Sequence, residues 1–228
     1  MRAEDIFVVI PSWNEGEILG RTVAGLVPYG YTIVVVDDGS TVTAAQFIDS
    51  YPVRYLRHAI NLGQGAAIQT GTEYALSEGA AIIVHFDADG QHSADQIERL
   101  TEPVKNGNFD VALGSRFLKS ADRNQVPLVK RVLLRAGILV SWLFTGVWLS
   151  DTHNGFRALS NKAAARITLK ESGFAHATEI LELIRKSGLR YTEVPVTVLY
   201  TDYSKAKGQS VFGSIDILID LVIAKLTR

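Results

Sequence analysis

Cysteine is absent from this chain of 228 residues. That excludes disulfides and thiolate metal sites, and it fits a reducing compartment. An excess of one charge is also missing: 23 Lys and Arg against 24 Asp and Glu leave a formal charge of -1. No global field therefore draws the chain to nucleic acid or to a membrane. Long apolar runs are lacking as well. The longest uncharged stretch, Ala136 to Ser150, falls short of the roughly 20 residues that span a bilayer, and no transmembrane helix is expected. Apolar character begins at Ile6, and no signal peptide is expected. No linker, repeat or low-complexity segment divides the chain. What remains is 47% hydrophobic, enough for one compact α/β domain with a real core.

Apolar runs of strand length alternate with helical segments. Ile6 to Ile10, Tyr31 to Val36, Arg54 to Leu56, Ala81 to Phe86 and Asp110 to Leu113 read as strands. Ala66 to Ser77 reads as a helix with Ala67, Gly71, Tyr74 and Ala75 near one face, and "HSADQIERLTEPV" as another capped by Ser93. Continuous apolar strands separated by helices predict a mostly parallel central sheet flanked by helices, with its site beyond the carboxyl ends of the strands.

Polar clusters stand at those ends: "PSWNE", "DDGS", "DADGQH" and "GSR". One alone is a turn; four carrying Glu15, Asp37, Asp38, Asp87, Asp89 and Arg116 signal a binding cleft. In "HFDADGQH" the side chains of Asp87, Asp89 and Gln91 alternate where an apolar strand runs out. They can converge oxygens on a hard cation, or form an Asp-Gly turn with solvated carboxylates. A dinucleotide-binding domain fails on position, because the first strand leads into "PSWNEGE" without a glycine fingerprint. "GQG" at 63–65 comes later and reads as a tight turn opening a helix. Lysine phosphate loops and zinc spacing among the five histidines are absent.

"IPSWNE", "VVVDDGS", "NLGQGAA", "DADGQH", "GSR" and "DTHNGFRAL", in this order, resemble a family 2 glycosyltransferase of the GT-A (Rossmann-like) fold. The similarity is to the polyprenyl-phosphate, dolichyl-phosphate mannosyltransferase-like branch, and it runs from residue 6 to about residue 212. It implies a donor-binding part at about 1–117 and an acceptor-side part at about 118–228. It also implies inverting transfer of a sugar from a nucleotide-diphosphate donor, with Asp87, Asp89 and Gln91 holding Mg²⁺ or Mn²⁺. Pro11, Trp13, Glu15, Asp37 and Asp38 fall at donor-binding positions, and Lys205, Lys207 and Ser210 in a late loop that closes on the donor phosphates. On residues alone, Trp13 also reads as a core aromatic and Glu15 as a helix N-terminal charge. Gln64 departs from the family's commoner lysine.

The acceptor side begins with six basic residues from Arg116 to Arg135 against the single acid Asp122, leading into "AGILVSWLFTGVWLS". This is either a headgroup-lying segment of a peripheral protein on the cytoplasmic membrane face, or a core helix with a solvated basic flank. The resemblance puts Arg116, Arg131, Arg135 and Arg157 at the acceptor, and makes Asp151 a general base if the acceptor is a hydroxyl. A polyprenyl phosphate arrives already anionic and needs no base. The expectation is therefore transfer to a polyprenyl phosphate. Transfer to a saccharide hydroxyl in glycan assembly and a catalytically silent donor-binding subunit are the other readings. His176 and Glu179 open a predicted helix, where a structural role serves equally well.

Overall fold

The computed structural model describes residues 1–118, 142, 146–152, 154–173 and 175–199. Its centre is strand β1 (Ile6–Ser12), buried along its whole length. Ile6, Val8 and Ile10 enter one apolar cluster with Leu19, Val23, Ile97 and Leu100. Phe7 and Val9 enter a second with Ala67, Ile68 and Ile180. Side chains alternate across a strand, so a run that is apolar at every position must be covered on both faces.

Among the described residues the sheet has seven strands in the order β3-β2-β1-β4-β6-β5-β7. These are β2 (Thr32–Asp37), β3 (Val53–Arg57), β4 (Ile82–His85), β5 (Val111–Ser115), β6 (Arg157–Ser160) and β7 (Tyr191–Pro195). All pairs are parallel except those of β6, which runs antiparallel to both β4 and β5. One face carries α1 (Glu17–Leu26) and α4 (Gln96–Lys105), and the other α3 (Gln64–Ser77) and α6 (His176–Lys186). Two single α-helical turns, α2 (Ala45–Ile48) and α5 (Asn161–Ala164), and two 3-10 turns at Ala3–Asp5 and Val27–Tyr29 are also among the described helices.

The predicted α/β sheet is present with two further strands, β6 and β7, and two helical expectations differ. Ser93 does not cap α4, which starts at Gln96; the Gln96 N–H instead donates to the Ser93 carbonyl. The Gln96 side chain is committed elsewhere, accepting from Thr197 N at 2.6 Å and donating to the Thr197 carbonyl at 2.9 Å. The end of the apolar stretch, 146–149, is not helical: Val147 and Leu149 are buried and Trp148 is 62% exposed.

"GQG" serves packing. A Cβ on Gly63 would lie 2.2 Å from the Ser172 carbonyl, and one on Gly65 2.0 Å from the Glu171 carbonyl. These glycines let the 171–173 segment close onto the start of α3, where Gly65 N donates to Ser172 O. Glu179 receives the backbone N–H groups of Lys170 and Glu171, and His176 Nδ1 lies 2.7 Å from the Gly173 carbonyl. Both residues hold that same segment.

Candidate active site

Every predicted cluster within the described residues lies at the carboxyl end of the parallel strands or in the segments that follow. At the end of β2, Asp37 is fully buried and accepts from Ser40 N, Ala44 N and the Tyr55 hydroxyl at 2.8–2.9 Å. Burial alone would raise its carboxyl, but these hydrogen bonds outweigh it and hold the group below the usual range. Asp38 is equally buried and accepts from Leu62 N and Gly63 N, with His58 Nδ1 at 2.7 Å. Its two oxygens thus pin the segment leading into α3. Asn14, in the left-handed region at φ 55, joins this loop to the end of β1: its N–H donates to Ser40 Oγ, and its Oδ1 accepts from Thr41 N. Asn accepts that conformation more readily than most residues, and this was the only signal for it in the sequence.

Of the remaining donor-side expectations, Pro11 is buried inside β1, while Trp13 stands 50% exposed just beyond it. Glu15 lies close enough to Asp87 and Asp89 to disfavour ionisation of both.

After β4, Phe86 and Ala88 turn into the core, and Asp87 and Asp89 point the other way, half-buried. Burial raises the Asp87 carboxyl, with Glu15 adding to the rise; Arg157, Gln64 and Arg116 oppose it. Asp89 is raised by burial and then by Asp87 itself. Two carboxyls that each resist ionisation beside the other are the arrangement a cation relieves. Gln64 Nε2 donates to Asp87 Oδ1 at 3.2 Å, and a Cβ on Gly155 would lie 2.4 Å from Asp87 Oδ2. Gly155 therefore keeps the second oxygen clear. Gln91 donates its backbone N–H to Asp89 Oδ1 at 3.0 Å, and its carbonyl accepts from Leu199 N. Among the described residues no cluster of three or more His, Asp or Glu has metal-site geometry. Two hard carboxylates nonetheless suit Mg²⁺ or Mn²⁺, which complete their shells with water and substrate phosphate. The residues fit such an ion.

At the end of β5, Arg116 grips Asp151. Nε and Nη2 donate to the two carboxylate oxygens, each at 2.7 Å, and the Arg116 backbone N–H adds a third bond at 3.1 Å. Glu193 on β7, which the sequence reading did not single out, accepts from Ser150 N, Ser150 Oγ and Asp151 N at 2.7–3.3 Å. Arg157, expected at the acceptor, is only 3% exposed. It opens β6 opposite His85 and offers the site its charge rather than an accessible face. Burial lowers it to about 10, countered by Asp87 and Asp151, so it stays cationic. Burial pushes His85 down to about 3 and His176 to about 4, with Arg157 adding to both, and these rings are neutral near pH 7. His92, packed on the Phe86 and Phe156 rings, is likewise pushed by burial to about 4.

Five buried side-chain atoms lack a hydrogen-bond partner among the described residues: Ser12 Oγ, His85 Nδ1, His92 Nδ1, Asn154 Nδ2 and Arg157 Nη1. Buried polar atoms are normally paired; Ser12 and His85 close β1 and β4, Arg157 opens β6, and His92 and Asn154 lie in the segments between β4 and β5 and before β6. Arg131, Arg135, Lys205, Lys207 and Ser210 lie outside the described residues.

A glycosyl transferase family 2 profile matches residues 7–168. An uncharacterized protein of Methanocaldococcus jannaschii is 37% identical over 98% of this chain and 93% of its own length. A UDP-N-acetylglucosamine–dolichyl-phosphate N-acetylglucosaminyltransferase of Methanococcus voltae is 30% identical over 98% of this chain and 97% of its own. The M. tuberculosis glucosyl-3-phosphoglycerate synthase, solved with Mn²⁺, UDP and phosphoglyceric acid, superposes with a TM-score of 0.63 at 16% identity, over 93% of this chain and 75% of that one. A mostly parallel sheet with its polar clusters at one end, the profile match and an end-to-end relative converge: the chain is a glycosyltransferase of GT-A fold that belongs to glycosyl transferase family 2, on its polyprenyl-phosphate branch.

Proposed function

We propose that the chain moves a sugar from a UDP- or GDP-sugar to a polyprenyl phosphate, with inversion at the anomeric carbon, at a membrane surface. The observation that carries the acceptor is the bidentate pair of Arg116 with Asp151. A carboxylate with both oxygens held by a guanidinium is a poor proton acceptor. The acceptor this site suits is one that brings no proton to remove. A phosphate monoester, with a second pKa of about 6, is such a nucleophile near neutral pH.

On the donor side, Asp37 and Asp38 shape the loop for the nucleoside, and the exposed face of Trp13 offers a stacking surface for the base. Asp87 and Asp89, with Gln91 beside them, would hold Mg²⁺ or Mn²⁺ against the donor diphosphate. When bound, the cation offsets the negative charge that grows on the departing nucleoside diphosphate. The phosphate oxygen forms its bond to the anomeric carbon from the face opposite the leaving group, and the electron pair of the broken C–O bond leaves on the diphosphate. Arg116 and the buried Arg157 supply positive potential where two anionic substrates meet. The Mn²⁺ and UDP of the M. tuberculosis structure support the donor and cation assignments, and the dolichyl-phosphate substrate named for the M. voltae relative supports the acceptor.

No helix among the described residues is long and apolar enough to cross a membrane. Trp142 and Trp148 are 40% and 62% exposed and meet edge-to-face at 5.7 Å. Such a pair, close in sequence to the basic run, suits a headgroup region. The test is incubation with radiolabelled UDP- and GDP-sugars, polyprenyl phosphate and Mn²⁺. Label should move into the organic phase with one donor; transfer confined to saccharide acceptors would move the assignment to a hydroxyl.

A further inference from the structure

We propose that Glu193 is a positioning residue that sets Arg116 toward the acceptor phosphate by fixing the Ser150–Asp151 turn. The inference rests on the acceptor reading above. Arg116 follows directly on β5, and β7 is the parallel neighbour of β5, with Glu193 in register with Leu113. From there Glu193 Oε1 takes Ser150 N at 2.9 Å, Ser150 Oγ at 2.7 Å and Asp151 N at 3.3 Å, and Oε2 takes Ser150 N at 3.0 Å. The next link is Asp151, whose carboxylate accepts three hydrogen bonds from Arg116. Ser115 also joins, through its hydroxyl contact with Ser150.

A turn backbone has no rigidity of its own, so the direction of the Asp151 carboxylate depends on what holds residues 150 and 151. Glu193 Oε1 alone meets two successive N–H groups and a hydroxyl, and the charge strengthens each bond. Glu193 does this from a strand, which is the more rigid kind of support for a site. Its own carboxylate is spent on that turn. Its effect on transfer therefore runs through Asp151, and should fall on the acceptor rather than on the donor.

The test uses Glu193→Ala and Glu193→Gln in the full chain, with two readouts. Phenylglyoxal labelling mapped by mass spectrometry follows three arginines at once: Arg116, the buried Arg157 as a reporter of global unfolding, and the exposed Arg190 as a reference. In Glu193→Ala the labelling of Arg116 should rise about threefold or more while Arg157 stays protected. Glu193→Gln, which keeps one oxygen for the turn, should recover most of that protection. In transfer assays KM for polyprenyl phosphate should rise about tenfold, equivalent to about 1.4 kcal/mol, with the nucleotide-sugar KM within about twofold. Unchanged labelling at Arg116, or loss of Arg157 protection together with both KM values, overturns the proposal. If the wild-type protein does not use polyprenyl phosphate, the acceptor reading fails, and the labelling still decides whether Glu193 holds Arg116.

Discussion

Arg116 and Asp151 form one unit: three hydrogen bonds join them, and the Asp151 side chain is almost wholly enclosed while that of Arg116 is partly open. Removing either leaves the other without its main counter-charge, which usually costs more than the pair contributes. Asn at 151 keeps one oxygen for the guanidinium, whereas Ala at 116 removes the cation altogether. Arg116→Ala should therefore lower kcat/KM by at least about a hundredfold and Asp151→Asn by about tenfold. The double variant should be little worse than Arg116→Ala, because residues acting as a unit are not additive. Near-complete loss in Asp151→Asn beside a mild Arg116→Ala defect would make Asp151 a base and the acceptor a hydroxyl.

The cation assignment has a steric test as well as a chemical one. A Cβ on Gly155 would sit 2.4 Å from Asp87 Oδ2, so Gly155→Ala must displace that carboxylate. Both Gly155→Ala and Asp89→Asn should weaken Mn²⁺ binding, measured by titration calorimetry with UDP present, and lower transfer by at least about tenfold. EDTA should abolish transfer and Mn²⁺ restore it. Full turnover in EDTA would sink the assignment.

How much of this was legible in the sequence depends on distance along the chain. β1, β2 and β4 announce themselves as apolar runs, and the acids that follow them are local signals. β6 was hidden. It has four residues, begins with a charged Arg157 and pairs antiparallel between β4 and β5; no periodicity reports an insertion into a sheet. Glu193 was hidden for a related reason, since its partners lie more than 40 residues earlier. The clusters "DDGS" and "DADGQH" were visible, but the division of labour within "DDGS" was not. Asp37 and Asp38 reach into different loops, and only the fold shows which.

Asp37 gives a prediction about stability and its pH dependence. It is fully buried and holds Ser40 N, Ala44 N and the Tyr55 hydroxyl. Losing the charge, or leaving one of those donors unpaired, should make Asp37→Asn less stable by about 1–3 kcal/mol at pH 7 in urea unfolding. The folded carboxyl titrates below its unfolded value of about 3.9. Its contribution is therefore complete above that value and is lost as pH falls through the folded one. The gap between wild type and Asp37→Asn should narrow as unfolding is measured at progressively lower pH. A gap independent of pH would show that the carboxylate's charge contributes nothing.

Membrane attachment is tested through Trp148, whose ring is largely exposed against Trp142. On the proposed membrane reading, the basic residues between Arg116 and Arg135 would supply attraction to anionic lipid that salt screens, with a Debye length of about 8 Å at physiological ionic strength. The exposed indoles would supply an apolar contribution that salt leaves intact. The two can be separated by flotation with anionic and neutral liposomes at low and high salt. Wild type should float with anionic vesicles at low salt and less at high salt. Trp148→Ala should lower recovery at both salt concentrations, because burying one large aromatic ring is worth about 1.5–3 kcal/mol, and it should leave the salt dependence nearly unchanged. Equal recovery with neutral and anionic vesicles would remove the basic run from the account. Unaltered flotation of Trp148→Ala would remove the tryptophan pair.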